Sequence, residues 1–343
     1  MPHFELTRET IVHDGLRLHR IRATRDIAAH GVEAGDLGGF VQHLGNLAGN
    51  GWAADNAKVL GRATLFHDSI ARDNACVRGD AKMYGHSVAD GDSTVYGNAQ
   101  MFGHSQAHGH SQVSENAILR ENATIYGYAH AHGHSLMCGC SRLGGKAGLG
   151  DHAELRDHAD VWGHARLEGH AVASGHSRVH DHVLMDGHSR ATDNAHLVSD
   201  AVLTDNATAA GDSLIGGKSR LSGNAYIGGN VEVTHLAHVH GDVTLDGNSL
   251  IGGGADIFRN EHLLTRTVGN VTATFTRQRW DLPDRAFFNR AEVLLHEVPL
   301  YIKKTLPEWS DSAQERQRIS AELTAAALMF DHQRDEWPQE DNY

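Results

Sequence analysis

The chain has little of what a conventional core of its length is built from. Aromatic residues make up 6% of its 343 positions and proline occurs only 5 times. A globular domain of this size normally buries more large side chains, so the composition points to a repetitive, small-residue architecture. Cysteine is scarce too. Cys76, Cys138 and Cys140 cannot make a disulfide framework, which fits a reducing, cytoplasmic setting. Long apolar runs are missing, and the opening MPHFELTRET lacks the basic-then-apolar pattern of an export signal. The reading is therefore a soluble, unexported protein without a membrane partner. Positive charge is in short supply: the formal net charge is -13. A polyanion would be repelled, so non-specific nucleic-acid binding is not expected.

Glycine (38) and histidine (28) are abundant instead, and a repeat accounts for most of both. Stepping by six from Val59 gives Leu65, Ala71, Val77, Met83 and so on to Ile257, with every position apolar. Four places after each sits a small residue, as at Ala63, Ser69, Ala75 and Ala81; Val183, Val231 and Val243 are larger but still apolar. Chance does not hold one phase for about two hundred residues. The period predicts a short strand with the aliphatic residue inward, then a tight corner filled by the small one. The two places before the small residue read Asp73-Asn74, Gly97-Asn98, Gly103-His104 or Asp205-Asn206. These residue types tolerate the left-handed backbone a corner requires. Three such units close an 18-residue coil. Inward alanines 18 apart (Ala53, Ala71, Ala89, Ala107; then Ala173, Ala191, Ala209) predict one narrowed face each. The expected fold is an all-β solenoid, a left-handed parallel β-helix of about eleven coils over 51–258.

The pattern aliphatic-x-Gly-Asn-Ala-x resembles the hexapeptide-repeat superfamily of left-handed β-helices. The opening segment sharpens the likeness: Arg20-Ile21-Arg22-Ala23, Gly35-Asp36-Leu37-Gly38-Gly39-Phe40-Val41, Asn46-Leu47 and Trp52-Ala53-Ala54-Asp55-Asn56-Ala57. Over roughly residues 4–258 the chain is similar to a bacterial and phage group of hexapeptide-repeat acetyltransferases. The resemblance implies the fold, a homo-oligomer with a trimer favoured, and acetyl-CoA as cofactor if the chain is an enzyme. A likeness of fold carries little chemistry.

The ends differ. Residues 1–50 alternate apolar and polar (Phe4, Leu6, Ile11, Leu16, Leu18, Ile21), which predicts a small β cap over the exposed strand edges. Residues 259–343 form a C-terminal extension. A hairpin turning at Gly269-Asn270 precedes alternating Val271, Ala273 and Phe275. Two helices follow, over 284–304 and 311–334; the second carries a stripe of Ile319, Leu323, Ala326 and Phe330 after Ser310 or Asp311 as N-cap.

Several constellations carry candidate chemistry. Eleven histidines sit at the second corner place: His86, His104, His110, His134, His152, His158, His164, His170, His176, His182 and His188. Spaced by 18, His134, His152, His170 and His188 should stack. They either stand in for Asn at a left-handed corner, sense pH, or form a metal ladder. The sharpest metal candidate is the set His134, Cys138, Cys140 and His158, because thiolate and imidazole suit zinc; two free surface thiols are the plainer reading. Phe66, Tyr84 and Phe102 are 18 apart on one outer face, with Ile118 and Leu136 beyond. Such a stripe marks a partner surface, or is covered by the chain's own ends. No catalytic residue stands out. By resemblance, acyltransferases of this superfamily place a catalytic His near a loop that interrupts the coils, and here the phase is unbroken. Two functions remain open: a rigid scaffold or binding module, and a CoA-dependent acyltransferase with an atypical site.

Overall fold

The computed structural model describes residues 2–268, 271–278, 285–288, 291–310 and 312–336. It divides into two units, Met1–Gly187 and His188–Tyr343. Counted along the chain, the units hold about 12 parallel β-coils of 18 residues.

In the first unit each hexad supplies a two-residue strand whose second member is the inward residue, as in Glu154–Leu155. Strands 18 residues apart pair in parallel. Ala53 thus lies beside Ala71, Ala71 beside Ala89 and Ala89 beside Ala107, the narrowed face the spacing predicts. The inward positions from Val59 to Met185 are 0% exposed. One coil more than expected is present because the repeat reaches back into the region read as cap. Strand β3 (Leu37–Val41) already pairs in parallel with Lys58–Val59, and Leu47 bridges Leu65. Gly38 and Gly39 are required there: a Cβ on either would lie 2.5 Å from the carbonyl oxygen of Ala53 or Ala57. Strands β1 (Phe4–His13) and β2 (Leu16–Ala23) run antiparallel and extend the same sheet through β3. Phe4, Leu18 and Ile21 are buried beneath them.

The corners correct one expectation. The positive φ falls on the first of the two corner residues, for example Asp73 (57°), Gly97 (71°) and Glu115 (56°). None of the eleven corner histidines has a positive φ; each follows the left-handed residue, as His86 follows Gly85 and His152 follows Asp151. Among the described residues, the only left-handed histidines are His67 and His235. Histidine is therefore not standing in for a left-handed Asn. The second corner place is an ordinary backbone position with an outward side chain.

In the second unit the coils run from Arg190–Ala191 to Asp256–Ile257. A four-stranded antiparallel sheet follows, of strands Leu263–Val268, Val271–Thr276, Arg285–Phe288 and Ala291–Leu294. Helices α1 (Val298–Trp309) and α2 (Ala313–Glu336) pack on it. The expected helix over 284–304 is thus two strands and a 3-10 turn before α1. Burial explains the misreading: Phe287 and Phe288 are both buried, so the segment is apolar on both faces and shows no period of two. The stripe of α2 is as expected, with Ile319, Leu323 and Phe330 at 0% exposure. Its N-terminal cap is Ser312, whose Oγ accepts the Glu315 amide at 3.3 Å. Ser310 ends α1 instead. Gly269, Asn270 and Asp311 lie outside the described residues.

Candidate functional site

Among the described residues, one cluster gathers three potential metal donors: His238, His240 and Asp256, each offering an atom within 4.8 Å of the others. It lies within the second unit. His238 and His240 flank inward Val239 and so point outward from one strand. Asp256 is the in-register partner of His238 on the next coil. His240 Nε2 lies 3.0 Å from Asp256 Oδ1. His238 Nδ1 is 3.9 Å from the same oxygen, and its Nε2 is 3.1 Å from Ser222 Oγ. The two imidazoles stack with centroids 4.3 Å apart at 23°.

The surroundings set the charges. Burial, and then the neighbouring His240, lower the basicity of His238. Burial raises the Asp256 carboxyl, but the His240 hydrogen bond and the charges of His240, His238 and Arg277 outweigh it, so the group sits below its ordinary range. Behind the cluster, Phe258 stacks edge-on with His262 at 4.2 Å. The Arg277 guanidinium lies over the Phe258 ring at 4.7 Å and donates to His262 Nε2 at 3.2 Å. His262 is 1% exposed. Burial and the Arg277 and Arg259 charges push its pKa down to about 4, so it stays neutral at ordinary pH.

Ser222, His238 and Asp256 have the order of a hydrolase triad, but not its geometry. At 3.9 Å the His–Asp separation exceeds a hydrogen bond. The Ser–His contact also recurs elsewhere: Ser114 Oγ meets His130 Nε2 at 2.8 Å, where the in-register neighbour is Gly148 rather than an acid. Residues 16 apart are diagonal neighbours in any 18-residue coil, and Tyr84–Gln100 touches in the same way.

The residues singled out from sequence are distributed differently. His134, His152 and His170 stack at 5.0 Å, nearly parallel. His86 stacks on His104, His158 on His176 and His164 on His182. Cys140 is exposed and Cys138 buried; Cys140 Sγ accepts from Asn122 Nδ2 at 3.9 Å. No three of His134, Cys138, Cys140 and His158 come within 4.8 Å of one another. Phe66 is 38% exposed, and the Tyr84 and Phe102 rings lie 6.2 Å apart, tilted by 53°, both half-buried. The sequence reading followed the corner column and missed the outward strand places. The signal was there: His-x-His, then Asp 18 residues after the first His.

A concavity of about 710 Å³ lies on α1 and α2 around Leu306, Pro307, Ala321 and Leu328 and shares no residue with this cluster. Across the described residues, no helix is long and apolar enough to cross a membrane. No known family model matches the chain, and no curated protein matches it either.

Proposed function

We propose that the chain is a rigid β-solenoid scaffold or binding module of the hexapeptide-repeat type, acting in the cytoplasm as a homo-oligomer. One observation carries this reading: within each unit the coils run without an interrupting loop, from Val59 to Met185 in the first and from Ala191 to Ile257 in the second, with two-residue corners throughout. By resemblance, acyl-transfer sites of this superfamily lie near a loop that leaves the coils and reaches a neighbouring subunit. The outer surface is instead lined with ladders of planar side chains, such as Asn98–Asn116 and Asn206–Asn224, joined amide to amide at 3.1 and 2.9 Å. A rigid, regularly spaced polar surface suits binding a partner more than turning over a small substrate.

Calorimetry with acetyl-CoA tests the reading. A scaffold gives no heat at millimolar ligand. Saturation once per subunit at micromolar acetyl-CoA would overturn it in favour of a CoA-dependent acyltransferase.

A further inference from the structure

We infer that His238, His240 and Asp256 form a binding site for one divalent transition-metal ion of the zinc class. The inference goes beyond the scaffold reading and does not depend on it. Donors placed about 2.0–2.1 Å from a tetrahedral ion lie about 3.3–3.4 Å apart. The two separations that converge on Asp256 Oδ1, 3.0 and 3.9 Å, bracket that value. Two imidazoles and one carboxylate are a donor set that zinc takes in open, three-protein-ligand sites.

The partners of the donors point the same way. His238 can donate its Nε2–H to Ser222 Oγ at 3.1 Å, which leaves the Nδ1 lone pair facing Asp256. A ligating histidine characteristically gives its other N–H to an acceptor in this manner. Coordination requires the imidazoles to open from their 23° stack. Their side chains are 40% and 33% exposed, and the His240 ring also lies beside Phe258, with centroids 5.4 Å apart. The cations facing the cluster are Arg220, in register beside His238, and Arg277, which is engaged by Phe258 and His262. Their charge weakens the site without filling it. Among the described residues, the histidine ladders bring no third donor of this kind together.

Position gives the ion a structural consequence. Asp256 donates its backbone N–H to the Arg277 carbonyl at 3.0 Å, so a bound metal would fasten the last two coils to the C-terminal sheet. Binding only to the folded state stabilises by mass action. A fourth position is left for water or for a group from a partner.

The test uses the full chain with Zn²⁺ in calorimetry and Co²⁺ for its visible spectrum. Expected is one tight equivalent per chain, a low-symmetry cobalt spectrum and a metal-dependent rise in melting temperature. Asp256→Asn and His240→Gln should each weaken that equivalent by more than the about 10–100-fold that losing a supporting partner costs, and Ser222→Ala by about tenfold. The control, His134→Asn/His152→Asn/His170→Asn, should keep it. Circular dichroism identifies any variant that fails to fold; His240→Gln alters only a part-exposed ring and serves if Asp256→Asn does not fold. The site is refuted if the wild type shows no tight equivalent. It is equally refuted if Asp256→Asn and His240→Gln bind as the wild type does, or if the ladder control is the variant that loses binding, which would mean surface-histidine binding only.

Discussion

Left-handed corners cost an L-residue strain, and the acids placed there recover part of it by an interaction glycine cannot make. Asp151 Oδ2 accepts the Gly169 amide at 3.1 Å, Glu115 Oε2 that of Gly133 at 2.9 Å, and Asp205 Oδ2 that of Gly223 at 2.9 Å. Each acid thus satisfies the left-handed residue of the following coil, and that residue is glycine. At Gly139, φ is 70° and a Cβ would lie 2.6 Å from the Asp157 carbonyl oxygen. Gly139→Ala should therefore lower stability by at least about 1–2 kcal/mol, whereas Gly148→Ala, with nothing within 4 Å, should be near neutral. Thermal denaturation of the pair checks this; equal melting temperatures would contradict it. A second residue-scale effect is acid sensitivity at His262. Its folded pKa is about 4 against 6.5 in the unfolded chain. A lowered folded pKa means the unfolded state takes the proton first as pH falls. Stability should decline between about pH 6.5 and 4, by at most about 3 kcal/mol, and change no further from this group below that. Burial in His3, His30, His130 and His238 acts in the same direction. His262→Gln should flatten part of the decline in melting temperature between pH 7 and 4.5; an unchanged slope would discard the assignment.

At the scale of the element, the hexad makes a dry interior of small residues, and its serines are the weak point. The hydroxyls of Ser87, Ser93, Ser105 and Ser141 are buried without a hydrogen-bond partner. Ser69 differs: its Oγ accepts the Phe66 amide at 2.9 Å and donates to the Met83 carbonyl at 3.1 Å. Ser141→Ala should accordingly stabilise by about 1 kcal/mol and Ser69→Ala destabilise by a similar amount; equal shifts in denaturation midpoint would defeat the explanation. Leu155→Asp, which would bury an unpaired carboxylate, should cost several kcal/mol and unfold the coil around it. The hexad was legible because its inward residues repeat without a slip, and a period of six has no rival reading. What was not legible lay where two patterns overlap. The second corner column holds Asn, Asp and His alike, so residue type alone could not say which corner residue carries the positive φ. Planarity is what those side chains share: at the coil spacing, imidazoles stack and amides form ladders. The Arg285–Phe288 strand has apolar contacts on both faces, so its alternation vanished. The His238, His240 and Asp256 cluster uses outward strand places, which the repeat leaves variable, so only the His-x-His spacing and the 18-residue step to Asp256 marked it.

At the scale of the whole molecule, the question is what the chain assembles with. Phe66, Tyr84 and Phe102 lie beside the strands Thr64–Leu65, Lys82–Met83 and Gln100–Met101, which form one sheet. Strands β1 to β3 extend a different one, that of Lys58–Val59, and Phe66 remains 38% exposed. Ile118 and Leu136 lie on the same sheet in the neighbouring column, in register with Gln100. A column of large side chains at coil spacing presents the flat, rigid, apolar strip that a copy of the same chain can match, because closed symmetry places identical columns around one axis. Aromatics at the centre of such a contact carry most of its energy. Light scattering should give about three times the chain mass of 37.2 kDa, and Phe66→Lys/Phe102→Lys should reduce it to the chain mass while circular dichroism stays unchanged, since both side chains point away from the interior. A wild type that scatters as a single chain at micromolar concentration would refute assembly through this strip. A variant that keeps the wild-type mass would leave the oligomer standing but remove the strip from its interface.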